Sequence, residues 1–362
     1  MLIGIDASRY KQKNPTGVEV YSKEIIEGLI DCASKSKNHA LRLYTRESIN
    51  ALPHALQRVL PYRRLWTQRH LSREMKVHPP DVLFVPSHVL PLRHPKRSVV
   101  MIHDVAFREY PKAYSPLQWL YLHWSTRFAV KRASLLLVPS QSTQRDIMKY
   151  YGADPQKIVT IPHGFRPPTL QISASKCKKI LKSFHLTPNA PFIFFVGRLE
   201  TKKNLERLLE AFSIFKQKFP NWKLVLGGSR GVGFPHILKT AQRLNLLQAV
   251  LMLGYLTEEE KIVLYEQARI FAFPSLSEGF GFPILEAAYH RVPILASAIP
   301  SLQELKPFVD VFVDPQNILS IADGLEQLAV TSTPSKRALL KSYSWRKNAQ
   351  KVWDLLTQET PI

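Results

Sequence analysis

Short apolar runs alternate with longer amphipathic stretches along nearly the whole chain, the pattern of βαβ units feeding a parallel sheet. Two series of runs are visible. The first comprises LIGID, LRLYT, DVLFVP, SVVMIH, LLLVP and KIVTIP, and the spacing between them predicts helices at 18–30, 116–132 and 140–151, the last capped by Ser140. The second comprises FIFFVG, KLVLGG, AVLMLG, IFAFP and VPILA, with helices at 204–218, 234–244, 257–268 and 282–290. Thr257 and Glu260 supply the T-x-x-E box that starts the third of these. Residues 162–191 are rich in Pro, Ser and Lys and lack strand alternation, so they read as an inter-domain linker with a short helix at 177–184. The expectation is an α/β chain in two domains, 1–170 and 186–342. No sequence repeat relates the two series.

Composition agrees with that division, since 362 residues at 45% apolar content suffice for two cored domains. The opening MLIGID has no basic stretch and carries Asp6, so it reads as a first strand rather than a secretion signal. None of the apolar runs approaches the roughly 18 residues of a membrane-spanning helix. Cys32 and Cys177 lie in unrelated contexts, which argues against a disulfide framework or a zinc site and fits a reducing cytoplasm. The formal charge of +22 asks for a polyanionic partner: nucleic acid, an anionic membrane face or phosphorylated substrates. Residues 1–170 hold 26 Lys and Arg against 12 Asp and Glu (26 − 12 = +14), and the rest hold 24 against 16 (+8). Within the first half, residues 58–76 gather Arg63, Arg64, Arg69, Arg73 and Lys76 around Leu65, Trp66, Leu71 and Met75. Two readings stand side by side there: an interfacial helix on anionic lipid, and a core-facing helix with a solvated basic face.

Candidate chemistry concentrates where IFAFP runs into SLSEGFGFPILEA. Backbone N–H groups of Gly279, Phe280 and Gly281, together with a helix N-terminus, make an anion site, and Glu278 and Glu286 form an E-x7-E pair facing it. The spacing alone means little, because 18 Glu in this chain give about one such pair by chance. After FIFFV, Gly197, Arg198 and Lys203 precede a helix and can neutralise a diphosphate, although a basic loop is more often a solvated surface. SVVMIH ends in His103-Asp104 at the carboxyl end of a strand, where open α/β sheets bind ligands; a lone His is still more often structural. Thr16-Gly17-Val18 lets backbone N–H groups reach a phosphate. No two aspartates lie two apart, so the D-x-D motif that carries a divalent metal on a diphosphate is missing.

Taken together, VGRLETKKNLERLLEAF, FPSLSEGFGFPILEA, VVMIHD and the terminal YSWRKNAQKVWDLL resemble glycosyltransferase family 4, the retaining GT-B enzymes, over nearly the whole chain. The resemblance implies two facing Rossmann-like domains, with a helix at 343–362 crossing back onto the first. It implies that Arg198 and Lys203 hold the donor diphosphate, that Glu286 binds the ribose, that Glu278 and the turn after it grip the sugar, and that His103 lies beside the reacting end. Gly17 and Gly197 would back the diphosphate, and Asp104 would orient. It further implies retention of configuration, no cofactor and no metal. The partners are a nucleotide sugar and a glycan or lipid-linked acceptor, at the inner face of the plasma membrane. TGVEVYSKEIIEGL and DVLFVPSHVLP are similar to mannosyltransferases of cell-surface polysaccharide synthesis, which tilts the donor toward GDP-mannose with UDP-sugars open. A sugar-nucleotide epimerase or a phosphorylase is the alternative within GT-B. A nucleic-acid-binding protein is the distant one, and no docking motif supports it. One departure stands out: Arg291 occupies a position where the family has Gly, and a left-handed cap there would cost roughly 1 kcal/mol. Beside it, His290 reads as an exposed helix-end His favoured by the dipole.

Overall fold

The computed structural model describes residues 1–10, 15–62, 64–188, 190–331 and 337–358. Among these, two all-parallel sheets account for the strands. The first sheet is built from β1 (Leu2–Asp6), β2 (Ala40–Thr45), β3 (Gln57–Val59), β4 (Val82–Val85), β5 (Arg97–Met101), β6 (Leu135–Val138) and β7 (Ile158–Thr160). Its order is β3-β2-β1-β4-β5-β6-β7. The second is built from β8 (Phe192–Val196), β9 (Lys223–Gly227), β10 (Val250–Gly254), β11 (Ile270–Phe273), β12 (Ile294–Ser297) and β13 (Val311–Val313), in the order β10-β9-β8-β11-β12-β13. Helices cover both faces, which is why β4, β6, β11 and β12 are buried along their whole length and read as unbroken apolar runs. Strand order reverses between β1 and β4 in one sheet and between β8 and β11 in the other, and ligands of such sheets bind beyond the carboxyl ends at those points.

Contacts divide the chain into two compact units. One comprises Met1–Pro111, Ser115–Gly164 and the chain from Tyr343 on; the other comprises Lys112–Tyr114 and Phe165–Ser342. The C-terminal helix Trp345–Thr357 packs on the helix Gly17–Ser34 within the first unit. Gly28 permits that approach, since a Cβ there would lie 2.4 Å from the Ala349 Cβ. Asn348 Nδ2 donates to Pro162 O at 2.6 Å, and Arg97 Nη2 donates to Gln358 O at 2.6 Å, placing a cation on the helix's negative end. Ser140 caps its helix by accepting from the Thr143 N–H, and the Thr257–Glu260 capping box is formed.

The structure bears on three expectations. In 58–76, Trp66, Leu71 and Met75 are buried, with the Trp66 indole donating to Leu60 O at 3.1 Å, while Arg64, Arg69, Arg73 and Lys76 stay outside. The segment is a π-helical turn, Trp66–Leu71, running into the helix Ser72–Val77; Trp66, Leu71 and Met75 serve the core, Leu65 and Val77 stay exposed, and Arg63 lies outside the described residues. His290 is not exposed: its side chain keeps 6% of its surface, and its ring stacks on Tyr265 at 5.4 Å and 3°. Arg291 does take the left-handed turn, at φ 62°.

Candidate functional site

In the second unit, the site grows from two strand ends that approach backbone to backbone. Gly197 follows β8 at φ 153° and Gly228 follows β9 at φ 138°; a Cβ on Gly228 would stand 1.8 Å from Gly197 O, so no side chain fits. The chain then makes the tight turn Thr201–Lys203 and enters the helix Leu205–Lys218 through Asn204, a buried left-handed residue at φ 60°. Asn204 Nδ2 donates to Pro274 O at 3.0 Å and to Pro315 O at 2.7 Å, and Leu276 N donates to Lys202 O at 2.9 Å. Those bonds fasten the β8 loop to the exits of β11, across the reversal point, and of β13.

The consequence is a buried ion pair. Lys203 Nζ donates to the Glu278 carboxylate and lies 5.2 Å from the centre of the Phe273 ring, the two charged side chains being 12% and 11% exposed. Arg198, by contrast, is 59% exposed, its Nε 4.0 Å from Glu200 Oε2. Beyond Glu278 the turn contains Gly279, which is buried, then Phe280, also buried, and Gly281 at φ 111°, where a Cβ would meet Leu302 Cδ2 at 2.8 Å. The helix Phe282–Tyr289 starts there and carries Glu286.

Glu286 is held from behind. The Tyr265 hydroxyl donates to its Oε2 at 2.8 Å, and Lys261 Nζ lies 3.6 Å from Oε1 and 2.8 Å from Glu258 Oε1. Burial, and after it the neighbouring Glu286 carboxylate, raises the Tyr265 pKa well above that of a free phenol. Burial works to lower the Lys261 pKa, but the Glu286 and Glu258 carboxylates outweigh it and the net shift is upward. Thus a protonated lysine and a protonated phenol face one carboxylate, fixing its rotamer and leaving a third of its surface open. The structure therefore brings Lys203 and Glu278 together, sets Glu286 in a separate network, and leaves Arg198 reaching toward solvent.

In the first unit, His103 follows β5, and its Nε2 lies 2.8 Å from Pro86 O. A carbonyl only accepts, so Nε2 carries the proton and Nδ1 keeps its lone pair. Burial lowers its pKa, which leaves the ring neutral near pH 7. The ring meets Tyr21 edge-on at 5.0 Å and His163 at 5.4 Å. Asp104 accepts from Ala106 N at 3.1 Å, an orienting turn. Gly17 is the exposed first residue of its helix, and Glu19 caps the start by accepting from Thr16 N at 3.0 Å and from the Thr16 hydroxyl.

A residue that sequence reasoning did not single out joins this group. His88, in the loop after β4, adopts φ 78° and has Nε2 2.7 Å from Thr126 Oγ1, whose own proton goes to Leu122 O at 2.7 Å. Burial pushes its pKa down to about 4, with His103 adding to the effect and Asp104 opposing it. Its position at the carboxyl end of a strand flanking the reversal point was the available signal. Among the described residues, no three His, Cys, Asp or Glu converge as a metal-ligand set.

Known proteins share this architecture. WaaG, a glycosyltransferase involved in lipopolysaccharide biosynthesis, matches with a TM-score of 0.74 at 17% identity, over 99% of this chain and 100% of that one. Anabaena HepE, solved with UDP and glucose, matches with a TM-score of 0.72 at 18% identity, over 98% and 99%. The fold is that of the GT-B glycosyltransferases, as the sequence led us to expect. At the level of sequence, the family model for glycosyl transferases group 1 matches residues 178–351, and that for glycosyltransferase family 4 matches residues 15–167. The O-antigen chain mannosyltransferase B of Escherichia coli is 26% identical over 322 residues, 86% of this chain and 81% of its own. The chain belongs to the group 1, family 4 glycosyltransferases and is a hexosyltransferase.

Proposed function

We propose that this chain moves a hexose from a nucleotide sugar to a glycan or lipid-linked saccharide in cell-surface polysaccharide synthesis, with retention of configuration and without a metal. The observation that carries the reading is the Lys203–Glu278 pair at the reversal point of the second sheet, beside a Glu286 held in place by Tyr265 and Lys261. An incoming diphosphate competes with Glu278 for Lys203 and draws in the exposed Arg198, so the negative charge that develops on the leaving group meets two cations. Glu278, released from Lys203, then accepts hydrogen bonds from the sugar hydroxyls together with the turn Gly279, Phe280 and Gly281. Glu286 is a fixed acceptor suited to a ribose diol, and Gly197 lets backbone come close to the phosphates. From the first unit we assign His103 to the sugar's reacting end, where a neutral ring offers its Nδ1 lone pair, and Gly17 to the diphosphate. The acceptor hydroxyl attacks on the leaving-group face and passes its proton to a phosphate oxygen, so no protein base is needed. GDP-mannose is the first donor to test, on the strength of the name of the E. coli relative; the UDP seen in HepE keeps UDP-sugars in the panel.

The test is donor turnover across a panel of GDP- and UDP-sugars in chelator. The expected result is one preferred donor and nucleoside diphosphate release stimulated by saccharide acceptor. Abolition by chelator with restoration by manganese would overturn the metal-free part. Conversion of the donor to its epimer without acceptor would overturn sugar transfer. We place the enzyme in the cytoplasm, at the inner face of the plasma membrane, where lipid-linked acceptors are presented.

A further inference from the structure

The helix Pro116–Arg132 is inside out for a soluble protein. It is well started, with Ser115 Oγ accepting from Gln118 N and proline in its first turn. Its buried residues are small or polar: Ser125, Thr126, Ala129 and Val130. Four large apolar residues point outward instead, Leu117 at 81% exposure, Leu120 at 57%, Tyr121 at 44% and Trp124 at 40%, while Trp119, Leu122 and Phe128 are half-buried. Positions 117, 120, 121 and 124 follow the spacing of a single helical stripe. The stripe continues into Phe128, on which Trp124 stacks at 5.8 Å and 17°. Gln68 extends the surface sideways, because it hydrogen-bonds Tyr121 and accepts from the N–H of Leu92, itself 48% exposed. Scattered exposed leucines need no explanation; a contiguous stripe on a helix that buries serine and threonine does.

The charge on the helix itself has one sign. Arg127, Lys131 and Arg132 are exposed along the last turns of the helix, Arg93 is exposed beside Leu92, and no Asp or Glu occurs between Glu109 and Asp146. Leucine, tyrosine and tryptophan in a row, followed by long cationic side chains with no acid on the helix, suit a surface whose interior is hydrocarbon and whose face is anionic. A protein partner would more often present acids and bases intermixed. We propose that the outward face of Pro116–Arg132, with Leu92, docks the enzyme on an anionic lipid bilayer, Trp124 and Leu117 entering the headgroup boundary and Arg127 and Lys131 meeting lipid phosphates. This rests on the reading above that the enzyme works at a membrane, and it shifts the main contact from 58–76, whose tryptophan is spent on the core, to the helix that Gln68 of that segment adjoins.

The experiment is flotation of the full chain with vesicles of phosphatidylcholine alone and of phosphatidylcholine with an equal part of phosphatidylglycerol. The wild type floats with the anionic vesicles only, less so at high salt. The triple variant Leu117→Ser, Leu120→Ser, Trp124→Ser loses about tenfold or more in vesicle affinity. Its donor turnover with a soluble acceptor stays at the wild-type level, which shows that it is folded. Arg127→Gln with Lys131→Gln lowers binding and flattens the salt dependence. Wild-type binding that the triple variant retains would overturn this surface while leaving membrane attachment standing. A wild type that floats with neither vesicle would overturn both. A wild-type dimer that dissociates in the triple variant, with no vesicle binding, would assign the stripe to a second copy of the chain and overturn the proposal.

Discussion

Tyr265 is buried, yet its hydroxyl helps to set where a carboxylate sits. Its hydroxyl, 2.8 Å from Glu286 Oε2, is a neutral donor to a charged acceptor, worth about 1.5–3 kcal/mol. Tyr265→Phe should weaken nucleoside diphosphate binding by about tenfold, roughly 1.4 kcal/mol, while leaving kcat close to wild type. Calorimetric titration paired with steady-state kinetics reads that split; an equal fall in kcat would count against the ribose role proposed for Glu286 and point to a disturbed fold. His88 supplies a pH dependence. Unfolded, its imidazole protonates near 6.5; folded, burial holds that back to about 4. The unfolded state therefore binds the extra proton first, and the stability His88 contributes above pH 6.5 drains away as pH falls toward 4. His103 and His163, both lowered by burial, act in the same direction. Melting temperature should drop across that window, and His88→Asn, which tolerates the left-handed backbone, should make the drop shallower. An unchanged slope would remove His88 from the account. At this scale the sequence was partly readable. A left-handed turn at Arg291 was raised by the resemblance to a family with Gly at that position, whereas the pairing of Lys203 with Glu278 joins residues far apart in the chain, and no local pattern encodes it.

Among the elements, the contact of Gly17–Ser34 with Trp345–Thr357 turns on one missing carbon. Gly28→Ala would put a methyl 2.4 Å from the Ala349 Cβ, an overpacking that costs about 1–3 kcal/mol. Urea denaturation should show that loss, and Ala349→Gly in the same chain should recover part of it. Failure of the second substitution to help would mean that the helices do not meet at that point. Strands buried on both faces announced themselves as apolar runs, and helices as spaced ones. The exceptions are instructive: β3, Gln57–Val59, is an edge strand with two of its three residues exposed, and β13 is three residues long, so neither offers a run to see. The helix 116–132 was visible at its true bounds, but its orientation was not. Periodicity gives the stripe; only packing says whether the stripe faces in or out.

Across the whole chain, two sheets of one topology explain why the candidate residues lie where they do. Gly197, Lys203 and Glu278 follow β8 and β11, the strands that flank one reversal point. Gly17 and His88 follow β1 and β4 at the other, and His103 follows the neighbouring β5. Runs, turns and basic loops therefore placed the candidate residues at strand ends before any coordinates, because a parallel sheet puts its loops at one end in strand order. The excess positive charge was equally plain, but a sum carries no address. Exposure was needed to separate the arginines that cover a core helix from those that rim an apolar stripe.

The return of Trp345–Thr357 to the first unit also sets an order of events during synthesis. Trp345 lies against Tyr21 and His163, ring centres 5.9 and 6.1 Å away, and it leaves the ribosome only after all of 165–342. Until then the nascent first unit holds an unfilled apolar groove along Gly17–Ser34, a natural place for a chaperone to sit. In translational time the second unit is an insertion within the first, and a helix made after it covers the helix that follows the first strand.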